Sequence, residues 1–547
     1  MKDTYDVVIV GAGINGLACG AYLAKAGLEV AVAEKRNECG PFALTEDIFG
    51  AGVPVDTHAS ICLIPMSPVW GDLDLGGFGF KVFVPEVLMA TMWPDRNLVS
   101  YGGDWKKTVD AIARHSQKDA KTFLHIGEQL WPHRTEILER AVFSPASPEG
   151  EDYLFSLGKL IGFSPEDFRT MNGMELVELL FENEFVRLSN LSVGVGNAFG
   201  DPPERGEGAI TVLLDWMSSS GVPVGGMHTL VHALVRCFRA HGGTLLLNAP
   251  VEKVTWQGDK PTGVVLSEDS PFGPRELKAR HAVVMHTTPP VALPLLGAEH
   301  VARLDGDLAH KMKTWDMTGH CAFLSYFLLK GAPQWRSASW NPDVLKCPYP
   351  YHTWRSWDHA VRSFQYARND DLFAIVEDAG DANEIFTPAI ADPSRLGPHG
   401  ECVVTYEVEY PVSLRRYGGP GAWDNRELTD RIHARHLAEL EELAQGFKEN
   451  LIASTYTTPL DNWRRNPSAI YGHELGGNVS GLQWYLGRMP ARSRIPGLYF
   501  SQSIWPVSLT HLGNGYVTAG SVAEDLGVRK QEWWSCRPLE PRTVARS

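Results

Sequence analysis

Gly11, Gly13 and Gly16 lie in the stretch VGAGINGLACGAYLAKAG, at a spacing that brings backbone close to a ligand. The first glycine makes a tight turn, the second admits a pyrophosphate against the chain, and the third lets a helix lie close on a strand. Glu34 follows Gly16 by 18 residues and offers a carboxylate to ribose hydroxyls. Ile14 and Asn15 stand at the positive N-terminal end of the helix, and Lys35 and Arg36 follow the acid. The chemistry indicated is dinucleotide binding. Groups suited to proton transfer lie elsewhere: His511 and His58, whose imidazoles titrate near neutral pH, with Asn514 and Trp505 close to the first. The thiols of Cys39 and Cys62 are read as small buried hydrophobes. Arg488, Arg492 and Arg494 are weighed as a carboxylate clamp and preferred as a solvated basic cluster.

These residues need a strand, a turn, a helix and a second strand to position them. Tyr5 to Val10 is a β-branched run too short for a helix, small and apolar residues at helical spacing then run to Gly27, and Glu29 to Ala33 is again strand-like. The chain has 547 residues, a soft prior of about three to four domains in series. With 44% hydrophobic and 21% charged residues it buries a large core. Lys plus Arg (50) against Asp plus Glu (65) leaves minus 15, which disfavours nucleic acid and anionic membrane surfaces and favours a small-molecule partner. No run approaches the roughly 18 to 20 apolar residues of a membrane helix, and no signal-peptide flank precedes the first strand. The 8 cysteines show no CxxC and no paired Cys/His spacing, so no disulfide framework and no metal site are expected. A reducing cytoplasm is the default location, and homo-oligomerisation is left open.

The following segment, EKRNECGPFALTEDIFGAGVPVDTHAS, carries Glu34, Arg36, Gly40, Thr45, Glu46, Asp47 and Asp56 in an order that resembles the second flavin motif of the phytoene-desaturase-like branch of the FAD-dependent amine oxidase superfamily. Gly225 to Val254, His281 to Pro290 and Arg494 to Gly527 resemble further segments of the same branch. The resemblance implies FAD held noncovalently, with the Val251 backbone at the adenine and Gly515, Tyr516 and Val517 facing the pyrimidine side of the flavin. It also implies that His511 and Asn514 lie near the flavin ring, with His58 on the opposite approach. Three positions depart from the pattern: Pro41 replaces a glycine and removes an N–H, Ser501-Gln502 replaces Ala-Gly, and Thr510 to Gly515 replaces His-Pro-Gly-Gly.

The expected fold is α/β: a Rossmann-like, glutathione-reductase-like FAD domain in three pieces (1–80, 222–300 and 465–530). An interleaved α+β substrate or cap domain (81–221 and 301–464) and a tail (531–547) complete it. Helical patterns run over Trp105 to Ala141, Leu176 to Leu188 and Leu428 to Leu451. The aromatic stretch Trp315 to Trp357 reads first as core and second as a substrate wall. The expected activity is hydride transfer between a small or medium organic substrate and flavin N5. Two alternatives stand beside it, a redox-neutral isomerase or hydratase that needs reduced FAD and a non-catalytic flavin-binding scaffold.

Overall fold

The computed structural model describes residues 2–102, 104–196, 201–372, 374, 376 and 383–534. The strand Thr4–Val10 pairs in parallel with Val30–Ala33 on one side (Val7 opposite Val30) and with Glu276–Met285 on the other (Val8 opposite Val283). Thr244–Leu246 adds outside the second strand (Ala31 opposite Thr244), and Leu498–Phe500 lies against the end of Glu276–Met285 (Val283 opposite Leu498). All-parallel strands buried on both faces require continuous apolar runs, which VVIV and VAVA supply. The antiparallel strands Val251–Gln257 and Lys260–Leu266 extend this seven-stranded sheet.

Helix Ile14–Lys25 leaves the first strand through the glycine turn and lies so close to helix Gly513–Asp525 that a Cβ on Gly515 would sit 2.3 Å from the Asn15 carbonyl oxygen. The two ends of the chain therefore meet at the nucleotide turn. Helix His228–Ala240 packs beside them and fills the space around Gly40, whose Cβ would meet Val231 at 2.6 Å.

A second seven-stranded sheet runs in the order 451–457, 320–329, 402–411, 383–386, 349–352, 87–92, 97–101. The long strands His320–Leu329 and Cys402–Pro411 pair in antiparallel along their whole length, and Asn383–Phe386 continues the sheet with Glu384 directly opposite Glu407. Helices between 105 and 217 bury Leu130, Leu154 and Val212 in the same core as Val8 and Val32 of the nucleotide sheet. Phe323, Val404, Ile432 and Leu440 form a separate core behind the second sheet.

Three helical readings need correction. Trp105 to Ala141 divides into Trp105–Ala113, Gln117–Leu130 and Arg134–Ala141, because Ser116 caps a new start by accepting from Asp119 N–H and Pro132 interrupts the next turn. Leu176 to Leu188 splits into Gly173–Leu180 and Glu184–Gly196. The charged helix ends at Leu443 rather than Leu451: Gly446 takes a left-handed φ of +69°, and Leu451–Thr457 then runs as an edge strand. Of the expected tail, Trp533 and Trp534 pack on Tyr22, with ring centroids 5.9 and 4.8 Å away, and residues 535–547 lie outside the described ones.

Candidate active site

A cavity of about 420 Å³ opens between the two sheets. One end is lined by Gly11, Gly13, Ile14, Asn15, Glu34, Lys35, Arg36, Gly40 and Val251. Gly11 holds φ at +102°, and a Cβ there would lie 2.6 Å from the His286 carbonyl oxygen. A Cβ on Gly13 would fall 2.5 Å from His286 Nε2, and one on Gly16 would fall 2.5 Å from the Gly11 carbonyl oxygen. Gly16 is thus absent from the lining and acts from behind, holding helix against turn. No side chain caps helix Ile14–Lys25, so the N–H groups of its first turn point toward the cavity with their partial positive charge free for an anion. The Glu34 carboxylate accepts from Ala12 N–H (2.6 Å) and Arg36 N–H (2.9 Å), which fixes it at the end of its strand, while burial pushes its carboxyl above the ordinary range. An uncapped helix end, glycines pressed against their neighbours and a fixed carboxylate together suit a dinucleotide pyrophosphate and ribose.

The residues expected near the flavin separate into two groups. His58 lines the cavity, stacks on Phe42 at 4.4 Å between ring centroids, and places Nε2 3.9 Å from Glu474 Oε2. Burial pushes its imidazole down to about 3, so the ring is neutral. His511, Asn514 and Trp505, expected as catalytic residues, do not line the cavity. The His511 ring is fully buried, accepts from Gly513 N–H through Nδ1 at 2.9 Å and meets Phe143 edge-on. Burial pushes it to about 3 as well. Asn514 donates from Nδ2 to the carbonyls of Ile504 and Pro506, and the Trp505 indole donates to the Ala141 carbonyl at 2.6 Å. These three shape the loop that carries Gln502, Ser508, Leu509 and Thr510 to the cavity. Gly515, Tyr516 and Val517 likewise sit behind the wall. Gly515 N–H donates to Asn15 Oδ1 (3.1 Å), and Tyr516 packs edge-on to Tyr22.

Sequence reasoning missed the rest of the lining. His286 closes the glycine turn from the next strand, with Nδ1 3.0 Å from both the carbonyl and the hydroxyl oxygen of Ser501. The far wall consists of Glu384, Glu407 and Glu409 from the second sheet and Glu474 and His473 from the loop after Ile470–Gly472. Glu384 faces Glu407 across the ladder, Glu409 follows two residues on along the same face, and the Tyr351 hydroxyl donates to Glu384 at 3.2 Å. Burial, reinforced by mutual repulsion, holds the Glu407 carboxyl well above the ordinary range, and burial raises Glu384 and Glu474 too. His58 Nε2, His473 Nδ1 and Glu474 Oε2 are buried without a hydrogen-bond partner. The alternation Glu407-Val408-Glu409 in an otherwise apolar strand was the signal available.

Among the described residues, none of Trp315, Trp335, Trp340, Trp354 and Trp357 lines the cavity; Trp315, Trp335 and Trp354 are buried in the core, whereas Trp357 is half-buried and Trp340 is exposed. Arg488 is not solvated: it is 2% exposed, and its guanidinium donates to the carbonyls of Leu475, Gly477, Asn478 and Ile504. Burial pushes the thiols of Cys39 and Cys62 up to about 12, which leaves them inert.

The model of the flavin containing amine oxidoreductase family matches residues 14–318. The chain belongs to this family. It is 25% identical to one subunit of the limonene dehydrogenase of Castellaniella defragrans over 97% of this chain and 96% of that protein. It is 24% identical to a lycopene-forming phytoene desaturase of a Paracoccus species over 83% of this chain and 84% of that one. A solved oxidoreductase from Methanosarcina mazei superposes with a TM-score of 0.58 at 14% identity, covering 94% of this chain and 99% of that one. The family member is an FAD-dependent oxidoreductase of the phytoene-desaturase-like type, and its fold joins a Rossmann-like FAD-binding part to a substrate part. Among the described residues no helix is long and apolar enough to cross a membrane.

Proposed function

We propose that this chain is a dehydrogenase that removes hydrogen from a small or medium organic substrate carrying a cationic or hydrogen-bond-donating group. Its FAD-binding part is formed by 1–80, 222–300 and 465–530, and 81–221 and 301–464 supply the substrate and cap region. One observation supports the reading above others: the cavity that begins at the glycine turn ends on four carboxyl groups, Glu384, Glu407, Glu409 and Glu474. Bound FAD supplies a hydride acceptor. Gly11, Gly13, Ile14, Asn15, Glu34, Lys35, Arg36, Gly40 and Val251 hold it without a covalent link. His58 is proposed to face substrate, because its neutral side chain lines the cavity with the Glu474 carboxyl 3.9 Å from Nε2.

The acid wall also bears on substrate class. A purely apolar molecule laid against these groups would leave buried polar atoms without partners, at a cost of roughly 1–3 kcal/mol each. A donor-bearing molecule supplies those partners. The relatives are named for limonene dehydrogenation and phytoene desaturation. From them we carry over the removal of hydrogen from carbon and leave their substrates aside. The first relative is named as one subunit of its enzyme, which makes assembly with another chain a reasonable expectation for this one.

Anaerobic mixing of the FAD-loaded protein with matched amine, alcohol and hydrocarbon substrates tests the proposal. Bleaching of the oxidised flavin by a cationic or hydroxylated compound and not by its hydrocarbon analogue is the expected outcome. Bleaching by the hydrocarbon alone removes the substrate proposal. Turnover only by pre-reduced flavin, with no net change in its absorbance, replaces the dehydrogenase with the redox-neutral reaction.

A further inference from the structure

We propose that Glu38, His228 and His232 bind one divalent transition-metal ion of the zinc class and that this ion fastens the loop over the cofactor to the helix beneath it. His228 and His232 stand one turn apart at the start of helix His228–Ala240, where a spacing of four residues puts both rings on one face. The rings lie 4.3 Å apart, centroid to centroid. Glu38 comes from the loop that follows Val30–Ala33 and brings Oε1 to 3.0 Å from His228 Nε2. One ligand atom from each of the three residues lies within 4.8 Å of the other two. Tetrahedral zinc, with bonds of about 2.0–2.2 Å, needs ligand atoms about 3.3 Å apart, so a modest closing of the side chains completes the shell.

An ordinary ion pair accounts for this arrangement less well. His228 Nε2 is buried and makes no hydrogen bond, although the Glu38 oxygen is within range. The backbone beneath is rigid: His228 N–H donates to Thr45 Oγ1 at 3.0 Å, and that hydroxyl donates to Asp56, itself ion-paired with the buried Arg395. Two imidazoles and a carboxylate favour zinc, nickel or cobalt over magnesium or calcium. Three protein ligands leave a fourth position for water.

The position gives the ion a task. Lys35, Arg36 and Gly40, on either side of Glu38, line the cofactor cavity. Val231, between the two histidines, fills the space beside Gly40. An ion bridging Glu38 to the helix opposes lifting of this loop, the movement that releases a dinucleotide from beneath it.

The test uses the full chain loaded with FAD, dialysed against chelator and then titrated with zinc chloride, with magnesium chloride in parallel. Zinc is expected to bind at one ion per chain, raise the thermal midpoint by a few degrees and slow flavin release, whereas magnesium does none of these. His232→Ala, at an exposed position, retains its flavin and its zinc-free midpoint but loses the zinc-induced shift. Glu38→Gln weakens binding. Cobalt chloride gives tetrahedral d–d absorption in the parent and none in His232→Ala. Absence of zinc binding in the parent, or equal binding in His232→Ala, overturns the site. Unchanged flavin release with zinc bound overturns its role as a fastener.

Discussion

At the nucleotide end of the cavity the work is done by backbone: three glycines, an uncapped helix terminus and a carboxylate already held by two N–H groups. At the far end it is done by side chains, four carboxyls and two neutral histidines, several of them with buried atoms that have no hydrogen-bond partner. The first end is preorganised before any ligand arrives, with the N–H groups of the uncapped helix turn left open for an anion, and the second has side-chain atoms that only something polar can satisfy. That contrast matches the tasks proposed for the two ends. A cofactor that stays bound rewards a rigid cradle, while a substrate that comes and goes draws its binding energy from groups left waiting.

The sharpest way to break the backbone end is Gly16→Ala. The new Cβ falls 2.5 Å from the Gly11 carbonyl oxygen, an atom that cannot rotate away, and within 2.9 Å of the His286 ring. Overpacking of this kind costs roughly 1–3 kcal/mol, up to about a hundredfold in cofactor affinity. Flavin absorbance per chain after gel filtration measures it, and the variant should emerge largely colourless. A fully yellow Gly16→Ala would mean that the turn tolerates displacement and that the rigid-cradle account is wrong.

The side-chain end should respond differently. Glu407→Gln keeps shape and flavin content but removes the ionisable carboxyl at the centre of the acid wall, which a bound cation would hold in its charged form, and kcat/KM for a cationic substrate should fall by about 10- to 100-fold. The same substitution has a signature in stability against pH. Glu407 and Glu384 are held above the ordinary 4.5 when folded, so the folded chain retains protons that the unfolded chain has released. Stability contributed by these groups is therefore lost as pH rises above 4.5 toward their raised values. His58 and His473, pushed down to about 3, act in the opposite sense: between 3 and 6.5 the unfolded chain binds the extra protons, and stability rises with pH. Thermal midpoints measured across this range should rise and then decline, and Glu407→Gln should flatten the decline while leaving the rise intact.

The same contrast explains what the sequence disclosed. Gly11 to Glu34 is a contiguous unit whose residue types are forced by local backbone geometry, so motif, strand and helix were all legible. So was the meeting of the two chain ends, through the segment resembling the terminal flavin motif. The acid wall joins Glu384, Glu407 and Glu474 from three separate stretches, and only the fold brings them together, the first two across a strand ladder and the third from a loop. The proposed metal ligands had the same difficulty: the i, i+4 histidine pair was in plain view, but Glu38 stands 190 residues before His228. For His511 and Asn514, nearness in sequence to a flavin motif placed the loop near the cavity but did not fix which side chains face inward. That is decided by one or two backbone rotations, such as the left-handed Leu512 at φ +63°.

His511→Ala, the smallest expected effect on turnover, tests whether the wall and what stands behind it are separable. His511 braces the turn into the last helix through Gly513 N–H and packs on Phe143, while Thr510 beside it reaches the cavity and bonds to Leu63 N–H and the Ile61 carbonyl. Removing the ring opens a buried space and should cost about 2 kcal/mol in denaturant unfolding. Turnover per bound flavin should stay within about twofold of the parent, because none of the groups proposed to meet substrate, Glu384, Glu407 and Glu409 on the second sheet and His58 and Glu474 on loops, is held by the His511 ring. Weaker binding of flavin with unchanged turnover would still fit a brace, since the loop also touches Asn15 through Ser508. A hundredfold loss of turnover at full flavin content and parental stability would not: it would return His511 to the reaction and require the loop to open in the working enzyme.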